Sequence, residues 1–227
     1  LLCTAQKMIP TYLLCDCEGD KHVCPEKLSV MGCRTRVVDD IYGYEGAIGR
    51  GNICCASINL PRLALEIDKS HKNESSLQKY DLFLKKWKEV AKITSEILLK
   101  RYFATCNRNA NDFPTNSNRQ MWCVPFQDPK EVFKHGTISL GYIGLSDAME
   151  ILTETRFYKD MATYDMAISF VKAMRKECDE MRSRYNLNFS LLASSGEYIS
   201  GRFIEIDKKL FTPTIDIFSK GFYTNSF

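Results

Sequence analysis

The chain has 227 residues, 44% hydrophobic and 26% charged, with a formal net charge of +3. That composition is ordinary for a globular protein and excludes both a disordered chain and a small disulfide-stapled domain. The basic residues are scattered, so no concentrated face for nucleic-acid phosphates is expected, and no run approaches the roughly 18 apolar residues that a membrane-spanning helix needs.

Residues 1–30 read as irregular and cysteine-rich. The opening "LLCTAQKMIPTYLLCDCEGD" has neither the basic start nor the unbroken apolar core of a signal peptide. Cys15, Cys17, His22 and Cys24 lie close together, but their spacing is not that of paired zinc knuckles, so no metal site is predicted. In a chain long enough to build a core, most of the ten cysteines are expected to be free thiols in a reducing cytoplasm. Both termini read as cut, which makes the chain one piece of a larger domain.

Residues 31–52 are glycine-rich and predict a long loop with a short hairpin. Here Cys33 stands between Gly32 and the run Arg34-Thr35-Arg36. A structural cysteine usually sits among apolar neighbours, whereas a flexible, electropositive setting marks reactive sulfur. The stretch "ICCASINL" (53–60) predicts a buried strand with Cys54 and Cys55 in the core. Pro61 then ends the strand and opens a helix.

Residues 75–102 predict an amphipathic helix with Leu77, Tyr80, Leu84, Trp87, Ala91, Thr94 and Leu98 on one face and Ser75 or Ser76 as cap. A polar surface excursion follows within 106–135. "GTISLGYIGL" (136–145) is a second strand, followed by a short helix and a long one over 160–185. Met161, Tyr164, Ile168, Val171, Met174, Cys178, Met181 and Tyr185 are expected on the packed face of that long helix. "NFSLLAS" (188–194) is a third strand, and "SGEYISGRFIEIDKKL" opens a third helix. Strands that alternate with helical crossovers predict an α/β fold with a parallel sheet or barrel, whose chemistry gathers at the carboxyl ends of the strands.

Four segments, "MGCRTRV" (31–37), "INLPRLALE" (58–66), "GTISLGYIGL" (136–145) and "LLASSGEYISGRF" (191–203), occur in an order that resembles the catalytic core of the anaerobic, class III ribonucleoside-triphosphate reductases. The closing "YTNSF" (223–227) resembles a further segment of that family. The family is similar to the other glycyl radical enzymes. The resemblance implies a partial catalytic barrel over residues 1–227: part of a ten-stranded α/β barrel, with a central finger loop at about 28–52.

It also implies roles for individual residues. Cys33 matches the loop-tip cysteine that becomes a transient thiyl radical and abstracts the 3′ hydrogen of the ribose. Thr35 matches a position where a small hydroxyl contacts the ribose or formate, and Arg34 is a candidate for substrate binding. Asn59 of "NLPR" either orients a substrate hydroxyl through its amide or simply ends a strand and satisfies backbone groups. Ser194, Ser195 and Gly196 stand where the family more usually has threonine, proline and alanine, and Tyr198 replaces a glycine. The turn they form is either a phosphate site at a helix start or a plain turn capped by Ser195. The adjacent Cys54 and Cys55 resemble the cysteine pair of pyruvate formate-lyase only superficially, and Gly141 is expected to be structural.

The family stores its radical on a glycine of a C-terminal region, next to a zinc site; neither is found in these residues, nor are the regulatory region and the second redox cysteine. No motif assigns Cys3, Cys15, Cys17 or Cys24 to that second role. The expected partners are a ribonucleoside triphosphate, formate as reductant, an activating enzyme that uses S-adenosylmethionine and an iron–sulfur cluster, and a second copy of the full protein. No nucleic acid or membrane partner is expected. By itself the chain is expected to be inactive. The competing readings are another glycyl radical enzyme acting on a small carbon substrate, and a non-catalytic nucleotide-binding or interaction module derived from the same barrel.

Overall fold

The computed structural model describes residues 2–7, 12, 29–31, 35–37, 40–42, 50–114 and 128–225. A short helix, α1 (Leu2–Lys7), lies where irregular chain was expected. Strands β1 (Ser29–Met31) and β2 (Thr35–Val37) pair antiparallel, with Met31 opposite Thr35 and Ser29 opposite Val37. This is the expected hairpin. The region of Cys15, Cys17, His22 and Cys24 lies outside the described residues. Among the described residues no cluster of potential metal ligands occurs, and no helix is long and apolar enough to cross a membrane.

The body of the fold is a three-stranded parallel sheet. Strand β3 (Asn52–Asn59) runs directly into α2 (Leu60–Ser70). Pro61 sits in the first helical turn, where its missing N–H costs nothing. Helix α3 (Ser76–Cys106) follows, and Ser75 forms a reciprocal capping box with Gln78. After α4 (Pro129–Phe133) the chain enters β4 (Thr137–Ile143), which leads through α5 (Leu145–Thr153) and α6 (Met161–Tyr185) to β5 (Asn188–Ala193) and α7 (Glu197–Asp207). The central strand is β4, parallel to β3 on one side and to β5 on the other. The predicted strand–helix alternation and parallel sheet are therefore present.

Successive side chains of a strand point to opposite faces, and the two faces of this sheet differ. Cys54, Ile58, Ile138, Leu140 and Phe189 are buried in apolar clusters with the helices. Phe170 of α6 is the hub of the larger cluster, with Phe83 at 4.7 Å and Trp87 at 5.7 Å between ring centroids. The opposite face carries Cys55, Ser57, Ser139, Gly141 and Ser190, mostly small and polar. Ser139 Oγ bonds Asn52 Oδ1 (3.4 Å) and lies 3.1 Å from Ser190 Oγ.

Three expectations on packing are corrected. Cys55 is exposed while Cys54 is buried, because adjacent residues of one strand cannot share a face. Leu77 is exposed, at the start of α3 before that helix reaches the core. On α6 the buried stripe is Thr163, Ala167, Phe170, Met174, Cys178 and Met181, whereas Met161, Tyr164, Ile168 and Tyr185 are exposed. The small Thr163 and Ala167 let α6 approach α5 closely, with Thr163 Oγ1 3.3 Å from Thr153 Oγ1.

Candidate active site

Four of the segments singled out in the sequence, "INLPRLALE", "GTISLGYIGL", "LLASSGEYISGRF" and residues 223–225, meet at the carboxyl ends of the three strands. Asn59 ends β3 and caps α2: its Oδ1 accepts the N–H of Arg62 at 3.2 Å, and its Nδ2 donates to Asp207 Oδ2 at 3.1 Å. Arg62, one turn into α2, donates through Nε to Asp207 Oδ1 at 2.6 Å and pairs with the same oxygen through Nη2. Asp207 is the last residue of α7, and its side chain is wholly buried. A third segment reaches it through the buried Tyr223, whose hydroxyl donates to Asp207 Oδ2 at 2.7 Å. Burial, together with the hydrogen bond to Asp207, pushes the Tyr223 phenol far above its ordinary range, so it stays a donor at every working pH.

The segment 220–225 is tied to β4 and α5 as well. Gly144, left-handed at φ 80°, turns the chain from β4 into α5 and donates its N–H to the Thr224 carbonyl at 2.7 Å. Asp147, wholly buried in the first turn of α5, accepts the Thr224 N–H at 2.6 Å and the Lys220 Nζ at 2.7 Å. On α7, the Ser200 carbonyl accepts the N–H of Tyr223 at 3.3 Å. Residues 220–225 thus cross the strand ends and link the three strand–helix junctions, directly at β4 and β5 and through Asp207 at β3.

Between β5 and α7, Ser194 is buried, and its hydroxyl lies 2.6 Å from Ser57 Oγ on β3. The two hydroxyls meet over Gly141 of the intervening strand. A Cβ on Gly141 would lie 2.4 Å from Ser194 Oγ and 2.8 Å from Ser57 Oγ, which is why glycine stands there. Gly196, left-handed at φ 38°, precedes α7, whose amino end has no side-chain cap. Of the two readings of this turn, the one with Ser195 as cap is not observed. Ser195 is half-buried beside it.

A cleft of about 710 Å³ opens next to Gly144, lined by Tyr142, Ser146, Arg156, Tyr158, Lys220 and Thr224 among others. Its two cations are matched by buried carboxylates, Arg156 by Glu150 at 2.8 Å and Lys220 by Asp147 at 2.7 Å. Among the described residues these pairs balance the charge of the cleft.

Cys33 and Arg34 lie outside the described residues. Thr35 is placed as backbone at the start of β2. The buried thiols are poor candidates for reactive sulfur: burial pushes Cys54 up to about 11 and Cys178 up to about 12. Sequence reasoning missed Asp207, Asp147 and Arg62. Arg62 lies inside the matched "INLPRLALE", whereas Asp147 and Asp207 lie just past matched segments, in "LSDAME" and "IEIDKK", which look like ordinary solvated helix faces.

Anaerobic ribonucleoside-triphosphate reductases of Haemophilus influenzae and Escherichia coli K12 are 28% and 27% identical to the chain over its whole length, of which the chain covers 31% and 32%. The enzyme of that name from phage T4 is 28% identical, with 36% of it covered. The chain therefore spans about a third of the length of these curated relatives. In fold it is similar to the anaerobic ribonucleotide reductase of Thermotoga maritima solved with dATP and CTP, at a TM-score of 0.53 and 14% identity, over 72% of this chain and 25% of that one. The family model described as anaerobic ribonucleoside-triphosphate reductase matches residues 1–227, and the chain belongs to that family.

Proposed function

We propose that this chain is a section of the catalytic barrel of an anaerobic ribonucleoside-triphosphate reductase, with residues 28–52 as its finger loop and Cys33 as the thiyl-bearing residue. The reaction is the reduction of ribonucleoside triphosphates to deoxyribonucleotides. The observation that carries this reading is the convergence of the "NLPR", "GYIGL", "SSGEYISGRF" and "YTN" segments at one end of one parallel sheet. In open and closed parallel α/β folds that end is where ligands bind.

In the reaction, a Cys33 thiyl would take the 3′ hydrogen atom of the ribose, so that an S–H bond forms as the C3′–H bond breaks. The unpaired electron passes to the sugar, whose C2′–O bond then breaks; the 2′ hydroxyl leaves as water with the proton given up by the 3′ hydroxyl, which becomes a ketone. The thiyl originates from a glycyl radical held outside these residues. Formate supplies the reducing electrons, a zinc site belongs to that same outside region, and a radical enzyme with S-adenosylmethionine and an iron–sulfur cluster acts as activator. Thr35 and Asn59 would orient the ribose and reductant, and Arg34 would bind the substrate. The uncapped amino end of α7, after Ser194, Ser195 and Gly196, suits a phosphate group. The full protein is read as a cytoplasmic homodimer.

The test is anaerobic turnover of the full-length protein after activation, with each of the four ribonucleoside triphosphates. Wild type is expected to form deoxyribonucleotides, and Cys33→Ala and Cys33→Ser to form none while still binding substrate. Turnover retained in either variant would sink the assignment of Cys33.

A further inference from the structure

We propose that Asp207 is a positioning residue: it fixes the Asn59 amide at the carboxyl end of β3 by joining that residue, Arg62 and Tyr223 in one buried cluster. The inference rests on the reading of Asn59 as a substrate-orienting group.

The placement of Asp207 is costly. It is the last residue of α7, so its carboxylate faces the negative end of the helix dipole. It is also wholly buried, where an unpaired charge is strongly disfavoured and a packed apolar side chain would serve stability equally well. What offsets the cost is a set of donors drawn from two distant segments. Arg62 and Asn59 come from the β3–α2 junction, and Tyr223 from the crossing segment.

The effect on Asn59 is specific. Its Oδ1 is engaged by the helix N–H of Arg62, and one Nδ2 hydrogen by Asp207. Both ends of the amide are held, so it cannot flip, and its second Nδ2 hydrogen has no partner among the described residues. That hydrogen is a donor with a fixed direction on a half-buried residue at the strand end. An amide at 207 would keep the shape and lose the function. With its oxygen turned to Arg62, Asp207→Asn presents an NH2 to the Asn59 NH2. Asn59 must then flip, breaking the cap of α2, or lose its second anchor.

The experiment is a double-mutant cycle on the full-length, activated enzyme, with kcat and KM read at saturating and limiting ribonucleoside triphosphate. Asn59→Ala is expected to lower kcat. Asp207→Asn alone is expected to lower kcat about ten- to a hundredfold, the scale of a misplaced contact group, with KM within about threefold. In the Asn59→Ala background it is expected to cost little more, because the group it positions is gone. Asp147→Asn is the structural comparison, since it removes an equally buried carboxylate that does not touch Asn59.

Should Asp207→Asn not accumulate as folded protein, Arg62→Lys breaks the same cluster while keeping the charge, and it enters the same cycle. If the Asp207→Asn loss is undiminished when Asn59 is alanine, or tracks the loss in Tm just as Asp147→Asn does, the positioning role is overturned and the function stands. If Asn59→Ala keeps full kcat, the reading of Asn59 falls and takes the inference with it.

Discussion

The two ends of the parallel sheet are both closed by buried carboxylates, yet they are built to opposite purposes. At the amino end, Asp40 is wholly buried against His135 Nδ1 at 2.9 Å and near Arg50 at 3.7 Å. Arg50 donates to the His135 carbonyl and the Thr137 hydroxyl, while Asn188 accepts from the Ile41 N–H and donates to the Lys134 carbonyl. Most of these bonds end on backbone, so this end joins residues 40–42 and 50 to the starts of β4 and β5. At the carboxyl end, Asp207 and Asp147 gather side chains from separate motifs, beside an open cleft. Function on parallel α/β folds sits at the carboxyl end, and conservation at the other end reads as stability.

The sharpest way to break this contrast is to remove one carboxylate from each end. Asp40→Ala removes a carboxylate wholly buried against His135 and Arg50, and breaking a buried pair of this kind costs about 3–5 kcal/mol. Urea unfolding of the full-length protein should show that loss. Asp207→Asn should cost less, because Arg62 is 28% exposed and its charge can be hydrated, while turnover falls more. A greater stability loss at 207 than at 40 would show that the carboxyl end is the structural one.

A smaller effect is expected on the polar face of the sheet. Gly141→Ala places a methyl within 3 Å of both the Ser57 and Ser194 hydroxyls. Forced overpacking costs about 1–3 kcal/mol, visible as a lower urea midpoint. Adding Ser194→Ala removes the nearer hydroxyl and should recover part of that loss, in spite of giving up a hydrogen bond worth about 1 kcal/mol. If the double variant is no better than Gly141→Ala alone, the Ser57–Ser194 contact does not determine the need for glycine.

The difference between the two ends was only partly legible beforehand. The strands, their parallel order and the long helices follow from periodicity and from Pro61 and Ser75, because those signals are local. The buried stripe of α6 did not follow. Met161, Tyr164 and Ile168 are more apolar than Thr163 and Ala167, but the packed face was decided by how closely α6 must approach α5 and by where Phe170 meets Phe83 and Trp87. Asp207 and Asp147 were invisible for a related reason. An acid in a helical charge run looks solvated until the partners Arg62, Tyr223 and Lys220, remote in sequence from one or both of them, are brought beside it. Asn59 was legible as a residue of interest, and of its two readings the strand-end cap is observed, together with a side-chain bond to Asp207 that neither reading contained.

The mildest expected effect concerns an exposed carboxylate. Asp160 caps α6, accepting from the Thr163 N–H at 2.9 Å and the Thr163 hydroxyl at 2.6 Å. The Thr163 side-chain and backbone hydrogen bonds hold its carboxyl below the ordinary value. A depressed folded-state pKa means that the ionised cap stabilises the fold above the unfolded carboxylate range, and that this contribution fades as pH drops through the folded value. Asp160→Ala should therefore lower Tm slightly at neutral pH, with the gap to wild type closing as the solution is acidified below pH ~4. The Ser75 cap of α3 carries no charge, so Ser75→Ala should lower Tm by an amount that does not change over the same pH range. If the Asp160→Ala gap also stays constant, the cap acts through its hydrogen-bond geometry alone.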